Sequence, residues 1–529
     1  MSHAMQQNTQ QTQAEAETGP AIPSRAKVWC HLGILMAVAI AVYITHSILR
    51  FNGYHAKGFD LGIFDQAVRQ YSLFKPPIVP IKGDGFHLLG DHFHPILALL
   101  SPFYWIWDDP RMLGIIMALA LASTAIPVYF FTRRRSHHHV CALVVSTALL
   151  AFWPFQAMVN WDFHEVTLGV PVIAWVMWAL DARRFWLACG LSLILLTVRE
   201  DMGITLVAIA VVMLFYRAWW QALVTAVSGM IGFVVVLQVV IPYFSPSGEF
   251  SYWEYTALGE DLGSSLTFML TNPLETIGIL FDHPLKIGLW LLHFVPLLLL
   301  PLLSPITLAA APLLLSRLFN DRLNVWAPVY QYDAMPSVIL MLAAVDGAYR
   351  LTRWVRTWPD SSQTPGTNHL PKDATEATTG QPRPRPASVV GTVVLGVSLV
   401  GTVTFPAVFP FHQLLTATYW IPSEKAQAFD RAVSMVPDDV CVEAADHAAP
   451  HLSTRTAVGL HGTLNDDRST WMIIDDEVEE LGGNHPLTPS QAFDRAERLG
   501  FEVVWEDQGV WVLHRDQPVD PACSQYLHR

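Results

Sequence analysis

Four short groups of acidic, histidine and arginine residues stand out in a sequence that is otherwise poor in charge. They are Phe59-Asp-Leu-Gly-Ile-Phe-Asp-Gln66, Asp91-His-Phe-His-Pro95, Asn160-Trp-Asp-Phe-His-Glu165 and Arg199-Glu-Asp201. Carboxylates and imidazoles are the side chains that most often move protons in enzymes, and the planar guanidinium of arginine suits a phosphate. If the four groups share one pocket, they predict acid–base chemistry beside an anionic ligand.

The first group also has a purely structural interpretation. Asp60 and Asp65 are five residues apart, about 140° around a helix, so they cannot form one compact diacid. Asp60 equally fits a helix N-cap, and Asp65 equally fits an i,i+4 pair with Arg69. The apolar residues between them predict a short amphipathic helix on the membrane surface.

Alternatives remain open for the second and third groups as well. Pro95 favours an extended chain before it, so His92 and His94 point to the same side and suit a divalent metal or a phosphate. Structural histidines fit the same pattern. Asp162 and Glu165 also match a capping box for the next helix, whereas His164 has no capping role.

The fourth group lies between two apolar segments of about fourteen residues, roughly 21 Å each, which is less than the thickness of a bilayer core. We therefore expect Arg199, Glu200 and Asp201 below the membrane surface, where charge usually has a function. A structural pair between Arg199 and a carboxylate is the alternative. Later polar residues are expected to rim the same cavity: Arg317, Asn320, Asp321, Arg322, Gln331, Tyr332 and Asp333.

The elements that position these groups are transmembrane helices. The chain is 52% hydrophobic and only 15% charged, which is too apolar for a soluble core. Runs long enough to cross about 30 Å of hydrocarbon recur along it. They predict an all-α polytopic domain of eleven spans, near residues 31–50, 111–132, 140–158, 166–181, 185–198, 202–216, 219–241, 286–303, 305–319, 333–349 and 388–410.

Basic residues in short loops predict the orientation, because such loops stay cytoplasmic. If the N-terminus is cytoplasmic, the predicted spans place four basic residues in cytoplasmic loops: Arg133, Arg183, Arg217 and Arg350. The four polar groups then lie outside. The predicted parts are a disordered cytoplasmic tail (1–27), a membrane domain (28–350) with its first external loop (51–110), a flexible cytoplasmic linker (351–387), a last transmembrane helix (388–411) and an extracytoplasmic domain (420–529). A plasma (inner) membrane location follows.

The last part predicts a small α/β domain. Strand-like runs at residues 440–444, 471–474 and 501–513 alternate with helical stretches at 424–436 and 489–499. Cys441 and Cys523 fit either a disulfide, which an oxidising compartment permits, or two free thiols. The net charge of −13 leaves no basic face for a nucleic acid.

The four groups, in this order and followed by Leu100-Ser-Pro-Phe-Tyr104, resemble the domain-of-unknown-function 2079 family of polytopic membrane proteins. The resemblance covers about Leu32 to Asp346, and the first group is its most specific part. That family is regarded as akin to the GT-C glycosyltransferases, multispan enzymes that use polyprenyl-phosphate-linked sugars. In those enzymes an acidic residue of the first external loop acts at the reaction centre, and many have two nearly adjacent acidic residues there, whereas Asp60 and Asp65 are separated.

The resemblance implies that a polyprenyl-phosphate sugar donor enters from the membrane lipid and that the sugar passes to an extracytoplasmic glycan or protein acceptor. The implied catalytic residues are Asp60, Asp65, His164 and Glu165. The implied substrate and phosphate contacts are Arg199, Glu200, Asp201, His92, His94, Tyr332 and Gln66. No cofactor is certain; a divalent metal would use His92, His94 or Asp60. The other hypotheses are a transporter of a small polar or anionic solute and a non-catalytic assembly protein.

Overall fold

Apolar helices dominate the computed structural model, which describes residues 23–250, 252–357, 386–477 and 487–527. In these ranges, six helices are long and apolar enough to cross a membrane: Arg25–Asn52, Arg111–Ser136, His139–Trp161, Trp219–Phe244, Gln331–Val355 and Pro386–Thr404. Shorter apolar helices lie at Pro95–Tyr104, Val166–Asp181, Phe185–Leu195, Met202–Phe215, Leu262–Thr271 and Pro305–Leu318. The predicted helical membrane architecture is confirmed, while the number of eleven spans stays a prediction.

Several of the long helices are interrupted. The helix before the third polar group breaks at Phe152, because Pro154 in its second half cannot donate a backbone hydrogen bond to the first half. The segments are Arg111–Ser123, Ala125–Ser136, His139–Ala151, Trp153–Trp161, Trp219–Val235, the π-helix Val236–Val240, Ile241–Phe244, the 3₁₀ turn Gln331–Asp333 and Ala334–Thr357.

The remaining helical elements are short. The α-helices are Ile63–Ser72, Ser101–Tyr104, Pro273–Ile279, Pro284–Phe294, Ala311–Leu318, Leu323–Trp326, Glu424–Met435, Ala449–Leu452 and Pro489–Arg498. One π-helix spans Gly58–Gly62, and 3₁₀ turns span Leu88–Gly90, Pro95–Leu100, Leu300–Leu303, Pro305–Ala310, Pro410–Leu415, Ala417–Trp420 and Pro521–Tyr526.

The stretch predicted as two short spans, 286–303 and 305–319, doubles back at Ser304. His293 Nε2 lies 3.2 Å from Asp333, at the start of the helix that ends at Thr357. Ser304 donates a 2.7 Å hydrogen bond to Asp346, about three turns further along that helix. Arg317, which follows this turn in the sequence, again pairs with Asp333 at the start of that helix. The predicted turn at Ser304 is therefore where the chain reverses.

One end of the helix bundle is basic, and we call it the basic end. Arg135 bridges two buried carboxylates there, with nitrogen–oxygen distances of 2.6 Å to both Asp181 and Asp346. Arg350 lies 2.6 Å from Asp346, and Arg134 also contacts Asp181. These ion pairs join the helices Ala125–Ser136, Val166–Asp181 and Ala334–Thr357.

The opposite end is covered by the C-terminal domain, and we call it the capped end. This domain has a five-stranded sheet in the order β2-β1-β3-β5-β4, in which β1 runs parallel to β2 and β3 while β5 is antiparallel to β3 and β4. The strands are β1 Cys441–Ala444, β2 Ala457–Gly459, β3 Trp471–Asp475, β4 Glu502–Asp507 and β5 Val510–His514. The predicted runs at 440–444 and 471–474 form β1 and β3, and the run at 501–513 forms two strands, β4 and β5, whereas β2 and the helix Ala449–Leu452 were not predicted. A disulfide joins Cys441 to Cys523.

The predicted tail and linker fall largely outside the described residues. A helix already begins at Arg25, within the predicted tail 1–27. The helix before the linker continues to Thr357, and the next begins at Pro386, so both boundaries of the predicted linker 351–387 move inward. The predictions of disorder for residues 1–22 and 358–385 lie outside the described ranges.

Candidate active site

Asp60 lies in the π-helix Gly58–Gly62 at the capped end, and its carboxylate contacts a histidine from another part of the chain. Asp60 Oδ1 is 3.2 Å from His164 Nε2, and the Asp60 side chain is 18% exposed. Neither this turn nor the helix Ile63–Ser72 after it is capped by a side chain, so Asp60 is not the N-cap that the sequence allowed. Burial lowers the pKa of His164, but the hydrogen bond to Asp60 and the negative charges of Asp60 and Glu165 together raise that pKa above its usual value.

Asp162 fixes the backbone on which Asp60 lies. Its Oδ2 accepts a hydrogen bond of 3.1 Å from the Lys57 amide, and Oδ1 is 3.5 Å from Arg50. The residue has a φ of 109°, a strained conformation for a side chain other than glycine. Burial raises the pKa of Asp162 to about 7, and Arg50 opposes this shift. No side chain caps the helix Val166–Asp181, so the alternative of a capping box with Glu165 is not formed.

The second and fourth groups meet in an ion pair. His92 Nδ1 lies 2.7 Å from Glu200 Oε1, and Glu200 Oε2 accepts a 3.1 Å bond from the Phe93 amide. Burial opposes the charge on both side chains, but their attraction raises the pKa of His92 and lowers that of Glu200. This pair joins the 91–95 segment to the segment between the helices Phe185–Leu195 and Met202–Phe215.

His94 lies on the inner side of the same segment. The residue is 2% exposed, and its Nδ1 atom is buried without a hydrogen-bond partner in the described part of the chain. Burial lowers the pKa of His94, and the negative charge of the buried Glu165 opposes this shift only in part. The imidazole of His94 is therefore neutral at pH 7. A buried, neutral imidazole with a free nitrogen is suited to bind a polar ligand atom.

Arg199 borders a narrow cavity of about 30 Å³. Asp201 accepts hydrogen bonds from Arg199 Nε, at 2.9 Å, and from one terminal nitrogen. Polar and apolar groups both line the cavity: Arg199, Arg317, Ser316, Gln331 and Tyr332 with Val166, Met202, Leu313 and Met335. Arg317 is in turn paired with the buried Asp333. A cavity of this composition suits a molecule with an anionic head and an apolar chain.

Tyr332 connects this cavity to Asp60. It lines the cavity, its ring centroid is 5.2 Å from the Arg317 guanidinium carbon, and both Asp60 and Arg199 lie close enough to act on it electrostatically. The carboxylate of Glu165 likewise lies close enough to act electrostatically on His164, His94 and Arg199. All four sequence groups thus contribute to one polar region at the capped end.

Asp65 and Gln66, expected in the site, lie away from it. Both oxygens of Asp65 are bonded to Arg69, at 2.8 and 3.0 Å, and Tyr104 donates a further bond of 2.7 Å. The i,i+4 pair allowed by the sequence is therefore formed. Gln66 bridges the Ile81 amide and the Val458 carbonyl. The helix Ile63–Ser72 is buried beneath the C-terminal domain instead of lying on the membrane surface as expected.

His92, His94 and Asp60 do not gather as metal ligands. In the described ranges, no group of three or more His, Cys, Asp or Glu residues is placed to hold a metal ion. His92 is engaged with Glu200, and Asp60 with His164.

Sequence reasoning missed several residues of this region. Tyr252 hydrogen-bonds to Asp91 and stacks on His92 with ring centroids 4.6 Å apart, and Lys82 lies 3.0 Å from Asp91. Asp446 of the C-terminal domain reaches the turn that carries Asp60. Tyr252 and Asp446 are distant in sequence from the four groups, and no local pattern marks them.

The chain is similar to a family of membrane proteins and to solved structures. The family model described as a predicted membrane protein of domain of unknown function 2079 matches residues 54–512. No curated protein matches the chain. The crystal structure of ArnT from Cupriavidus metallidurans in the apo state is 13% identical, covers 93% of this chain and 98% of its own, and has a TM-score of 0.49, which is too low to establish a common fold.

Proposed function

The chain belongs to the domain-of-unknown-function 2079 family of membrane proteins, and we propose that it is a glycosyltransferase that moves a sugar from a polyprenyl phosphate to an extracytoplasmic glycan or protein. The observation that carries the proposal is the adjacency of two features. The Asp60–His164 pair supplies a carboxylate for proton transfer, the cavity at Arg199 supplies a cation with apolar walls, and Tyr332 lies close to both.

The cavity at Arg199 binds the phosphate of the lipid donor in this proposal. Asp201 holds the guanidinium through Nε and one terminal nitrogen, which orients the other terminal nitrogen for a phosphate oxygen. Met202, Leu313 and Met335 offer apolar surface to the first isoprene units. A free phosphate ion would gain nothing from these walls, so the composition favours a lipid phosphate.

Asp60 acts as the general base. It removes the proton of an acceptor hydroxyl while that oxygen attacks the anomeric carbon of the sugar. The bond between this carbon and the phosphate oxygen breaks, and the polyprenyl phosphate leaves with the electron pair. Arg199 stabilises the negative charge that forms on the phosphate. His164, in contact with Asp60, orients the carboxylate.

The capped end faces away from the cytoplasm in this proposal. Arg133, Arg134 and Arg135 lie at the basic end, and clusters of this kind are retained on the cytoplasmic side. The disulfide between Cys441 and Cys523 also supports the orientation, because disulfides persist in oxidising compartments.

We expect Arg199→Ala to weaken binding of a polyprenyl phosphate by about 10- to 100-fold, since it removes a charge-assisted contact worth about 1.5–3 kcal/mol. Binding of fluorescent undecaprenyl phosphate to the protein in nanodiscs measures this. Arg322→Ala is the matched control: Arg322 was expected at the cavity rim, but it is absent from the cavity lining, is 40% exposed and pairs with Glu254 at 3.6 Å. Equal affinities for the two variants would contradict the proposed donor site.

A further inference from the structure

The C-terminal domain contacts the very turn on which Asp60 lies. Asp446, just after β1, accepts two backbone hydrogen bonds of 2.7 Å. Its carbonyl oxygen accepts from the Gly58 amide, and its carboxylate Oδ1 accepts from the Phe59 amide. Burial raises the pKa of Asp446 to about 6, and the Phe59 amide opposes this shift, so the carboxylate is mostly ionised above pH 7.

Gly58 allows this close approach. A Cβ atom at Gly58 would lie 2.7 Å from Ala449 Cβ and 3.2 Å from the Asp446 carbonyl oxygen. The first is closer than real Cβ atoms come to one another. The short helix Ala449–Leu452 therefore packs directly on the backbone of the turn, and any side chain at Gly58 would push the domain away.

The turn depends on these outside contacts. The π-helix Gly58–Gly62 is the first turn of a helical segment that continues directly into Ile63–Ser72. The first amide groups of such a segment have no partner within the helix. Asp162 accepts from Lys57 on one side, and Asp446 accepts from Gly58 and Phe59 on the other.

Further contacts fix the domain in place. Gln66 donates to the Val458 carbonyl, Arg69 to the Ser453 carbonyl, and Gln70 to the Tyr526 carbonyl, over 2.6–2.8 Å. At the far edge of the interface, Arg468 pairs with Asp84 and with Asp520. The domain is thus held at separate points along residues 58–84, with Asp446 at the point nearest to Asp60.

We propose that Asp446 is a positioning residue for Asp60, so that the C-terminal domain completes the catalytic site. The inference rests on the proposed function for the role of Asp60. It assigns to Asp446 the task of holding the Gly58–Gly62 turn through the Phe59 amide. The domain then contributes to turnover without touching the substrate.

Hydrogen–deuterium exchange tests the contact directly, on the full chain in nanodiscs at pH 7.5. We expect Asp446→Ala to speed exchange in peptides covering residues 56–62 by about tenfold, the effect of losing roughly one net hydrogen bond. Asp446→Asn keeps an oxygen acceptor for the Phe59 amide, so its exchange should stay close to that of the unmodified protein. Arg468→Ala is the control that loosens the domain elsewhere and leaves residues 56–62 protected. Unchanged exchange in Asp446→Ala would overturn the inference.

The consequence for catalysis is a selective loss of turnover. With undecaprenyl-phosphate mannose and undecaprenyl-phosphate glucose as probe donors, Asp446→Ala should lower kcat by about tenfold and leave KM within about twofold, since the donor cavity is untouched. Asp446→Asn should restore kcat, and Arg468→Ala should not lower it. Equal kcat values in Asp446→Ala and the unmodified protein would overturn the positioning role. Absence of transfer by the unmodified protein would count against the proposed function, while the exchange result still decides whether Asp446 holds the turn.

Discussion

Replacing Asp60 by asparagine is expected to lower the rate of sugar transfer by about 10²- to 10⁴-fold, the usual contribution of a general base. The amide cannot accept the proton of the acceptor hydroxyl, but it keeps the shape of the side chain. Because Asp60 is partly exposed and asparagine keeps an oxygen that can face His164, the variant should fold and bind polyprenyl phosphate normally. Single-turnover transfer from a labelled donor measures the chemical step apart from binding.

The matched control is Glu254→Gln. Glu254 is a half-exposed carboxylate paired with Arg322, and it is absent from the cavity lining. Its loss should leave the transfer rate within about twofold, because exposed ion pairs contribute little. Transfer by Asp60→Asn at the rate of this control would exclude Asp60 as the base.

Removing Arg69 should cause the largest loss of stability, about 3–5 kcal/mol, because it leaves a buried carboxylate without its partner. Arg69 is 1% exposed and bonds to Asp65, to Asp108 at 2.8 Å and to the Ser453 carbonyl at 2.6 Å. In Arg69→Ala, the Asp65 carboxylate therefore loses its partner while it stays buried, and burial already raises the pKa of Asp65. Thermal unfolding in detergent, compared at pH 7, measures the loss.

Arg111→Ala is the comparison for this result. Arg111 pairs with Asp109 at 2.7 Å on a side chain that is 34% exposed, so its removal should cost less than about 1 kcal/mol. Both variants remove one positive charge, Arg69 from the helix Ile63–Ser72 and Arg111 from the start of the helix Arg111–Ser123. Similar melting temperatures for both would show that the buried pair beneath the C-terminal domain is not a main source of stability.

The convergence of the four polar groups could be predicted from the sequence because it follows from the number of transmembrane helices between them. Loops that alternate with spans fall on the same side, so Asp60, His92, His164 and Arg199 were expected at one end. The structure joins them in pairs: Asp60 with His164, and His92 with Glu200. Periodicity also located most of the C-terminal strands and helices, because short runs of β-type residues alternate there with polar helical stretches. It missed the three-residue strand β2, which is too short to show a pattern.

The pairing within the site could not be predicted in the same way. Asp65 had two local interpretations of similar merit, and only the tertiary contacts with Tyr104 and Ser453 show that it is enclosed with Arg69. The amphipathic pattern of residues 59–66 was assigned to the membrane surface, since an apolar face packs equally well on lipid or on a folded domain. Tyr252 and Asp446 reach the site across 161 and 387 residues of sequence separation, beyond any local rule.

The proposed donor site can be seen in a structure with a bound, non-cleavable polyprenyl phosphonate sugar, determined by electron cryomicroscopy in nanodiscs. We expect phosphonate oxygens within hydrogen-bond distance of Arg199, isoprene units against Met202 and Leu313, and the sugar's anomeric carbon on the side of Asp60 and His164. A phosphonate bound at the basic end beside Arg133–Arg135, or a sugar separated from Asp60 by the Tyr332 side chain, would contradict it.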